Sequence, residues 1–148
     1  MSVSIKQIND CVECVNIARD LKEWFNERGI ERMILDLRDN ETYGAYMGTE
    51  LAGFITVKSS EHLVEVLWMA VKRRYQGKGI GSALLNFIEQ LAKDRGSRLI
   101  MVKTSGDTEY EPYARTRRFY EKHGFIPMLL IDNYSDWGEP MALYVKCL

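Results

Sequence analysis

The chain has 148 residues, 46% of them hydrophobic, which suits one domain over residues 1–148 with a core of its own. Twenty basic residues against 21 acidic ones leave a net charge of −1, so no global field favours nucleic acid or an anionic membrane. No apolar run approaches the roughly 18 residues of a membrane span, and the opening Met-Ser-Val-Ser-Ile-Lys-Gln lacks a charged leader with a hydrophobic block, which predicts a cytoplasmic protein.

Taken in chain order, residues 3–8 alternate weakly and predict a first strand, and Asn9-Asp10 offers an N-cap for a helix. Cys11, Val15, Ala18, Leu21, Trp24 and Phe25 recur at helical spacing up to Gly29, and Ile30 to Leu37 continue as a second, short helix. The three cysteines, Cys11, Cys14 and Cys147, are an odd number that argues against a disulfide framework. Cys11-Val-Glu-Cys14 has no second Cys/His pair to complete a metal site, so packing is its expected role and no metal is predicted.

Thr42–Met47 and Glu50–Lys58 favour strand, with Gly48-Thr49 as the hairpin turn between them. Residues 62–71 are apolar on both faces, as in a central strand covered from both sides. Leu84, Leu85, Ile88, Leu91 and Ala92 form one helical stripe that Gly96 stops, and Leu99–Thr104 makes another strand. A helix over about Pro112–His123, a strand at Phe125–Ile131, a polar loop at Asp132–Pro140 and a strand at Met141–Lys146 complete the order β, α, α, β, β, β, α, β, α, β, β.

The most informative segment lies between the strand ending at Val71 and the helix that follows it. Gly77, Gly79 and Gly81 remove Cβ atoms that would hold a ligand off the backbone and allow unusual φ/ψ values that turn N–H groups inward. The helix adds its unsatisfied first amides and the positive end of its dipole, so a phosphate-bearing ligand is expected. A Walker loop is excluded, because Gly77-Lys78 is followed by Gly79 and lacks the upstream glycine. A dinucleotide fingerprint fits poorly, because Ser82 stands where the third glycine belongs.

What remains is Gln-x-x-Gly-x-Gly, filled by Gln76, Gly79 and Gly81, which resembles the acyl-CoA signature of the GCN5-related N-acetyltransferase (GNAT) superfamily. Arg118-Phe-Tyr-Glu-Lys-His-Gly-Phe125 is similar to a second motif of that family, and the element order is the family's as well. The resemblance implies an α/β (α+β) GNAT fold. Its mixed central sheet has about seven strands with helices on both faces, splayed between strands 4 and 5. It also implies that acetyl-CoA, the acyl donor, lies along the backbone of Met69, Ala70 and Val71 in the manner of an added strand. Its pyrophosphate would rest on Gln76, Gly77, Lys78, Gly79, Ile80, Gly81 and Ser82.

For the chemistry, the resemblance puts Tyr120 beside the CoA sulfur as general acid for the departing thiolate, a suitable role for a phenol with an ordinary pKa near 10. Glu65 is a carboxylate inside an otherwise apolar strand, at the position of the base in the histone-acetylating branch of the family; ordered water is the alternative base. Many members carry an asparagine seven residues before the tyrosine and an alanine four before it. Tyr113 and Thr116 stand there instead, and Arg117 is left to touch the cofactor or an acidic partner.

The segments at 106–111 and 132–139 hold six carboxylates with Tyr110, Tyr134 and Trp137 among them, a composition suited to a cationic amine. The resulting expectation is acetyl transfer to a primary amine of a small molecule. A peptide or protein amine and a non-catalytic acyl-CoA sensor are the alternatives, and a homodimer is possible by resemblance, although no exposed apolar stripe in the sequence shows one.

Overall fold

A computed structural model describes residues 2–9 and 12–148. The element order agrees with the sequence reading. The strands are β1 (Ser4–Ile8), β2 (Glu41–Met47), β3 (Glu50–Ser59), β4 (Leu63–Val71), β5 (Leu99–Ser105), β6 (Ile126–Tyr134) and β7 (Glu139–Cys147). The helices are α1 (Val12–Asp20), α2 (Glu27–Asp39), α3 (Ile80–Asp94) and α4 (Glu111–Lys122). The strands form one mixed sheet in the order β1-β2-β3-β4-β5-β7-β6, in which β4 and β5 are the parallel pair.

Helices cover both faces. Leu84, Leu85, Ile88 and Ala92 of α3 and Tyr120 of α4 pack with Val64, Val66, Ile100 and Val102 of the sheet. Cys14, Ile17 and Ala18 of α1 and Ile30 and Met33 of α2 close over Phe54 and Ala70 on the other face. Apolar residues sit on both faces of β4 because each face meets a helix layer, which is why that strand reads as a nearly continuous hydrophobic run.

Two boundaries differ from expectation. The first helix ends at Asp20 rather than near Gly29. Asn26 then starts α2 by accepting a 2.8 Å hydrogen bond from the Gly29 amide. The helical spacing of Leu21, Trp24 and Phe25 persists across the break because all three pack into the same cluster as α1 and α2. The stretch read as a loop at Asp132–Pro140 is mostly hairpin, with β6 running to Tyr134 and β7 starting at Glu139, so only Ser135–Gly138 turn. β6 is an edge strand and exposes Ile126, Met128, Leu129 and Leu130, an apolar edge the sequence pattern did not show. The expected cap Asp10 and the stripe position Cys11 lie outside the described residues.

Candidate active site

The parallel pairing of β4 with β5 runs from Leu63↔Leu99 to Val66↔Val102 and then stops, although β4 continues to Val71 and β5 to Ser105. The strands therefore part beyond Val66, and among the described residues the backbone of Leu67–Val71 has no strand paired to it on its β5 side. Against β3, Thr56 pairs with Trp68 and Val57 with Val66, so Leu67 is an extra residue in the ladder. Such a bulge bends and twists its strand and re-aims the residues beyond it. Val64 and Val66 face the α3 side before the bulge and Met69 and Val71 pack on that side after it, while Trp68 and Ala70 turn toward α1 and α2.

At the end of β4 the chain is locked in place before it reaches the glycines. The Lys72 amide donates to the Ala52 carbonyl at 2.8 Å, and the Gln76 side-chain amide donates back to the Val71 carbonyl at 3.1 Å. Glu50 of β3 accepts from Arg74, from the Tyr75 hydroxyl at 2.8 Å and from Lys72 at 3.2 Å, and the Arg74 hydrogen bond leads in holding its carboxyl down to about 2. Arg73 is taken by Glu23 at 2.6 and 2.9 Å. Both arginines are thus structural. Lys78 is the loop cation without a carboxylate partner among the described residues, with its ammonium 5.9 Å from the Tyr75 ring centre.

The three glycines do different jobs. Gly77 (φ 74°) and Gly79 (φ 86°) occupy the left-handed region with nothing within 4 Å of a built Cβ, so backbone conformation rather than space demands glycine there. Gly81 has no positive φ; a Cβ on it would lie 3.3 Å from Cζ of Phe119, so it serves close packing of α3 against α4. Gly79 is the N-cap of α3 and has no side chain to cap the first turn. Among the described residues, no protein acceptor engages the amides of Gly77 through Ser82, which leaves a set of N–H groups at a helix start for an anion. The conformation, the free amides and Lys78 all fit a diphosphate.

Tyr120 is 4% exposed, ringed by Phe119 and Phe125 at 5.5 Å and Tyr144 at 6.5 Å. Burial pushes its phenol well above the ordinary range, so it holds its proton. None of the described groups accepts from or donates to its hydroxyl, and no fully buried polar atom among them lacks a partner, so the oxygen opens onto the cleft it helps to line. Glu65 sits one residue before the strands part, half-buried, with Lys103 Nζ 3.9 Å away. It alternates with Val64 and Val66 and so projects from the opposite face of the sheet to Tyr120.

One cleft runs from the glycine loop through the gap between β4 and β5 to the β6–β7 turn. Its far end joins the 132–139 segment, expected from its composition to face the amine, to residues of α2, β4 and β5 that carried no sequence signal. Trp68 donates to Asp36 of α2 at 2.7 Å, and Lys103 lies over the Tyr134 ring at 5.7 Å. Trp24 donates to the Pro112 carbonyl at 3.0 Å beneath the Arg115 guanidinium, and Arg32 donates to the Asp136 carbonyl at 3.2 Å. Of the six carboxylates expected to attract an amine, only Asp136 and Glu139 line the cleft, and Glu111 is spent on Arg118 at 2.6 Å. Tyr113 and Thr116 line it too. Arg117 instead ties α4 to β5 through the Ser105 carbonyl at 2.7 Å.

A sheet that opens beside a glycine-rich loop of unengaged amides, with a protonated tyrosine at the opening, fits an acyl-coenzyme transferase. Residues 12–125 match the Acetyltransferase (GNAT) family, and the chain belongs to that family. It is an acetyl-CoA-dependent N-acetyltransferase acting on an amine. It is 28% identical over 120 residues to the uncharacterized N-acetyltransferase YvbK of Bacillus subtilis strain 168, covering 80% of this chain and 67% of the relative. In fold it is similar to a GNAT-family acetyltransferase of Desulfovibrio desulfuricans (TM-score 0.82, 21% identity, 99% of both chains). It is similar also to a GNAT-family acetyltransferase of Elizabethkingia anophelis with acetyl-CoA bound (TM-score 0.79, 19% identity, 99% of this chain and 98% of that one). No described helix is long and apolar enough to cross a membrane, and no group of three or more His, Cys, Asp or Glu side chains among the described residues could hold a metal ion.

Proposed function

We propose that this protein, working in the cytoplasm as one domain, acetylates the primary amine of a small molecule by direct attack on acetyl-CoA. The observation that carries this reading is the unpaired edge of β4 leading into the unengaged amides of Gly77–Ser82, with the Tyr120 hydroxyl at the same opening. In it, Met69, Ala70 and Val71 offer backbone to the pantetheine arm, and Gln76, Gly77, Lys78, Gly79, Ile80, Gly81 and Ser82 hold the pyrophosphate. Acetyl-CoA supplies an activated thioester. Tyr120 gives its proton to the departing sulfur, and Glu65, directly or through water, takes one from the attacking amine.

The opposite faces of these two groups keep their tasks apart: amine addition to the thioester carbonyl gives a tetrahedral adduct, from whose nitrogen the base takes a proton and to whose departing sulfur the acid gives one. A small acceptor is favoured by the ties across the far end of the cleft, Trp24 to Pro112 and Arg32 to Asp136, which bridge its rims. Thiol release from acetyl-CoA across amines, polyamines, amino acids and peptides tests the reading, with mass spectrometry of the products. Turnover confined to peptides would replace the small-molecule acceptor with a peptide. Tyr120→Phe should lower kcat by about 10² to 10⁴-fold with little change in acetyl-CoA affinity; an unchanged kcat removes Tyr120 from the mechanism.

A further inference from the structure

Ser82 Oγ, in the first turn of α3, lies 2.9 Å from Nε2 of His123, the residue that ends α4, and the other ring nitrogen, Nδ1, lies 2.8 Å from the Phe119 carbonyl oxygen. For a neutral ring, the contact with the Phe119 carbonyl settles the direction of both hydrogen bonds. A carbonyl can only accept, so Nδ1 carries a hydrogen; in the neutral ring Nε2 then has only a lone pair, and Ser82 must donate its single hydroxyl hydrogen to it. Phosphate oxygens also only accept. With the ring neutral, Ser82 therefore turns lone pairs toward an anion in the cradle and offers it nothing but the backbone N–H.

Protonation of Nε2 reverses this. The new N–H donates to Ser82 Oγ, the hydroxyl hydrogen is released toward the phosphate, and a positive charge stands one hydrogen bond behind it. We propose that His123 is a positioning residue of the coenzyme site. It sets whether Ser82 can donate to the diphosphate, so that coenzyme binding favours uptake of a proton from solvent onto the imidazole. This rests on the reading of Gln76–Ser82 as the coenzyme loop.

The surroundings hold the ring in place. The Phe119 ring stacks at 4.4 Å, and Phe119 itself packs against Gly81 at the start of α3. On α4 the adjacent charge is Lys122. From β7, Lys146 approaches Gly124 but is closed by Glu89 of α3 at 3.0 Å, and the loop contributes Lys78. Lys122 and Lys78 have no carboxylate partner among the described residues, and Lys122 lines the same cleft.

The experiment is calorimetry of dephospho-CoA binding, in buffers of different ionisation enthalpy, between about pH 8 and about pH 6, the range in which histidine side chains change charge. Dephospho-CoA keeps the diphosphate but lacks the phosphomonoester, whose own second ionisation near pH 6 would confuse the count. The expected result is uptake that peaks at about half a proton per site and an affinity that rises roughly tenfold on acidification, the scale of one charge-assisted hydrogen bond. His123→Gln and Ser82→Ala should bind with uptake lost and a flat pH response, and Ser82→Thr should restore both. Thermal unfolding checks that each variant is folded. Tight wild-type binding without proton uptake, or uptake unchanged in His123→Gln, overturns the proposal while leaving the coenzyme loop standing. Failure of dephospho-CoA to bind at all overturns both.

Discussion

Gly79→Ala isolates the backbone term in the anion cradle. Gly79 holds φ 86° and ψ 5° with nothing within 4 Å of a built Cβ, so alanine meets no clash and the cost is conformational alone. An L-residue in the left-handed region costs about 1–2 kcal/mol. If the loop keeps its shape in the free protein, that energy is lost from stability, and for a chain of this size the melting temperature falls by about 2–4 °C per kcal/mol. If the loop relaxes when empty, the ligand must restore the strained shape, and affinity falls instead by a factor of roughly 5–30. The two losses should sum to the strain, so chemical denaturation and CoA titration of one variant close the account. Unchanged stability together with unchanged affinity would show that Gly79 is not held at positive φ and that the loop is no preformed cradle. Gly81→Ala is the contrast, since its Cβ would push on the Phe119 ring at 3.3 Å, beside Tyr120, and should disturb turnover more than backbone strain would.

Lys78→Ala should weaken CoA binding and flatten its salt dependence, because Lys78 is the loop cation without a carboxylate partner among the described residues; an unaltered salt response would exclude it from the diphosphate site. Phe54→Ala, at a fully buried position between the sheet and the α1–α2 layer, should cost about 3–5 kcal/mol in urea unfolding, and a cost near zero would mean the core is packed otherwise. Burial, with the Glu121 hydrogen bond second, pushes the Tyr144 hydroxyl up to about 12, and burial raises Tyr120 as well. Raised acids of this kind contribute stability that is complete below the unfolded value near 10 and is lost as pH rises through the folded value. The urea midpoint should therefore fall as pH climbs past about 10, less steeply in Tyr144→Phe, and a midpoint indifferent to alkaline pH would contradict the burial of these phenols.

How far the sequence could be read follows from how local each cause is. The glycine loop was legible because positive φ at Gly77 and Gly79 leaves a compositional mark at fixed spacing. Gly81 carried the same letter for an unrelated reason, its closeness to Phe119, and nothing local separates the two. The end of α1 was misplaced because Leu21, Trp24 and Phe25 serve one buried cluster whether or not the helix continues, so periodicity reports the cluster and not the hydrogen bonds. Asn26, with Gly29 three residues on, was the available signal for the break. The β6–β7 hairpin hid behind polar, turn-forming residues because an edge strand needs no apolar alternation to keep its backbone paired on one side.

The 132–139 segment at the far end of the cleft was legible from its composition, but its partners lay beyond sequence reading because those contacts cross long separations. Trp68 reaches Asp36 only because the bulge at Leu67 turns it toward α2, and one fewer residue in that ladder would aim it at the other layer. Lys103 comes beside Glu65 because β4 and β5 stay paired as far as Val66↔Val102, so this ion pair forms at the last rung before the strands part. The same rung thus fixes where the sheet opens and which charge stands next to the candidate base. Lys103→Met removes that charge while keeping the length of the side chain, and so tests whether Glu65 acts as written. If Glu65 is the base and Lys103 holds its carboxylate at the opening, both Lys103→Met and Glu65→Gln should lower kcat/KM. A kcat/KM that is unchanged in Lys103→Met and in Glu65→Gln would assign proton removal to water.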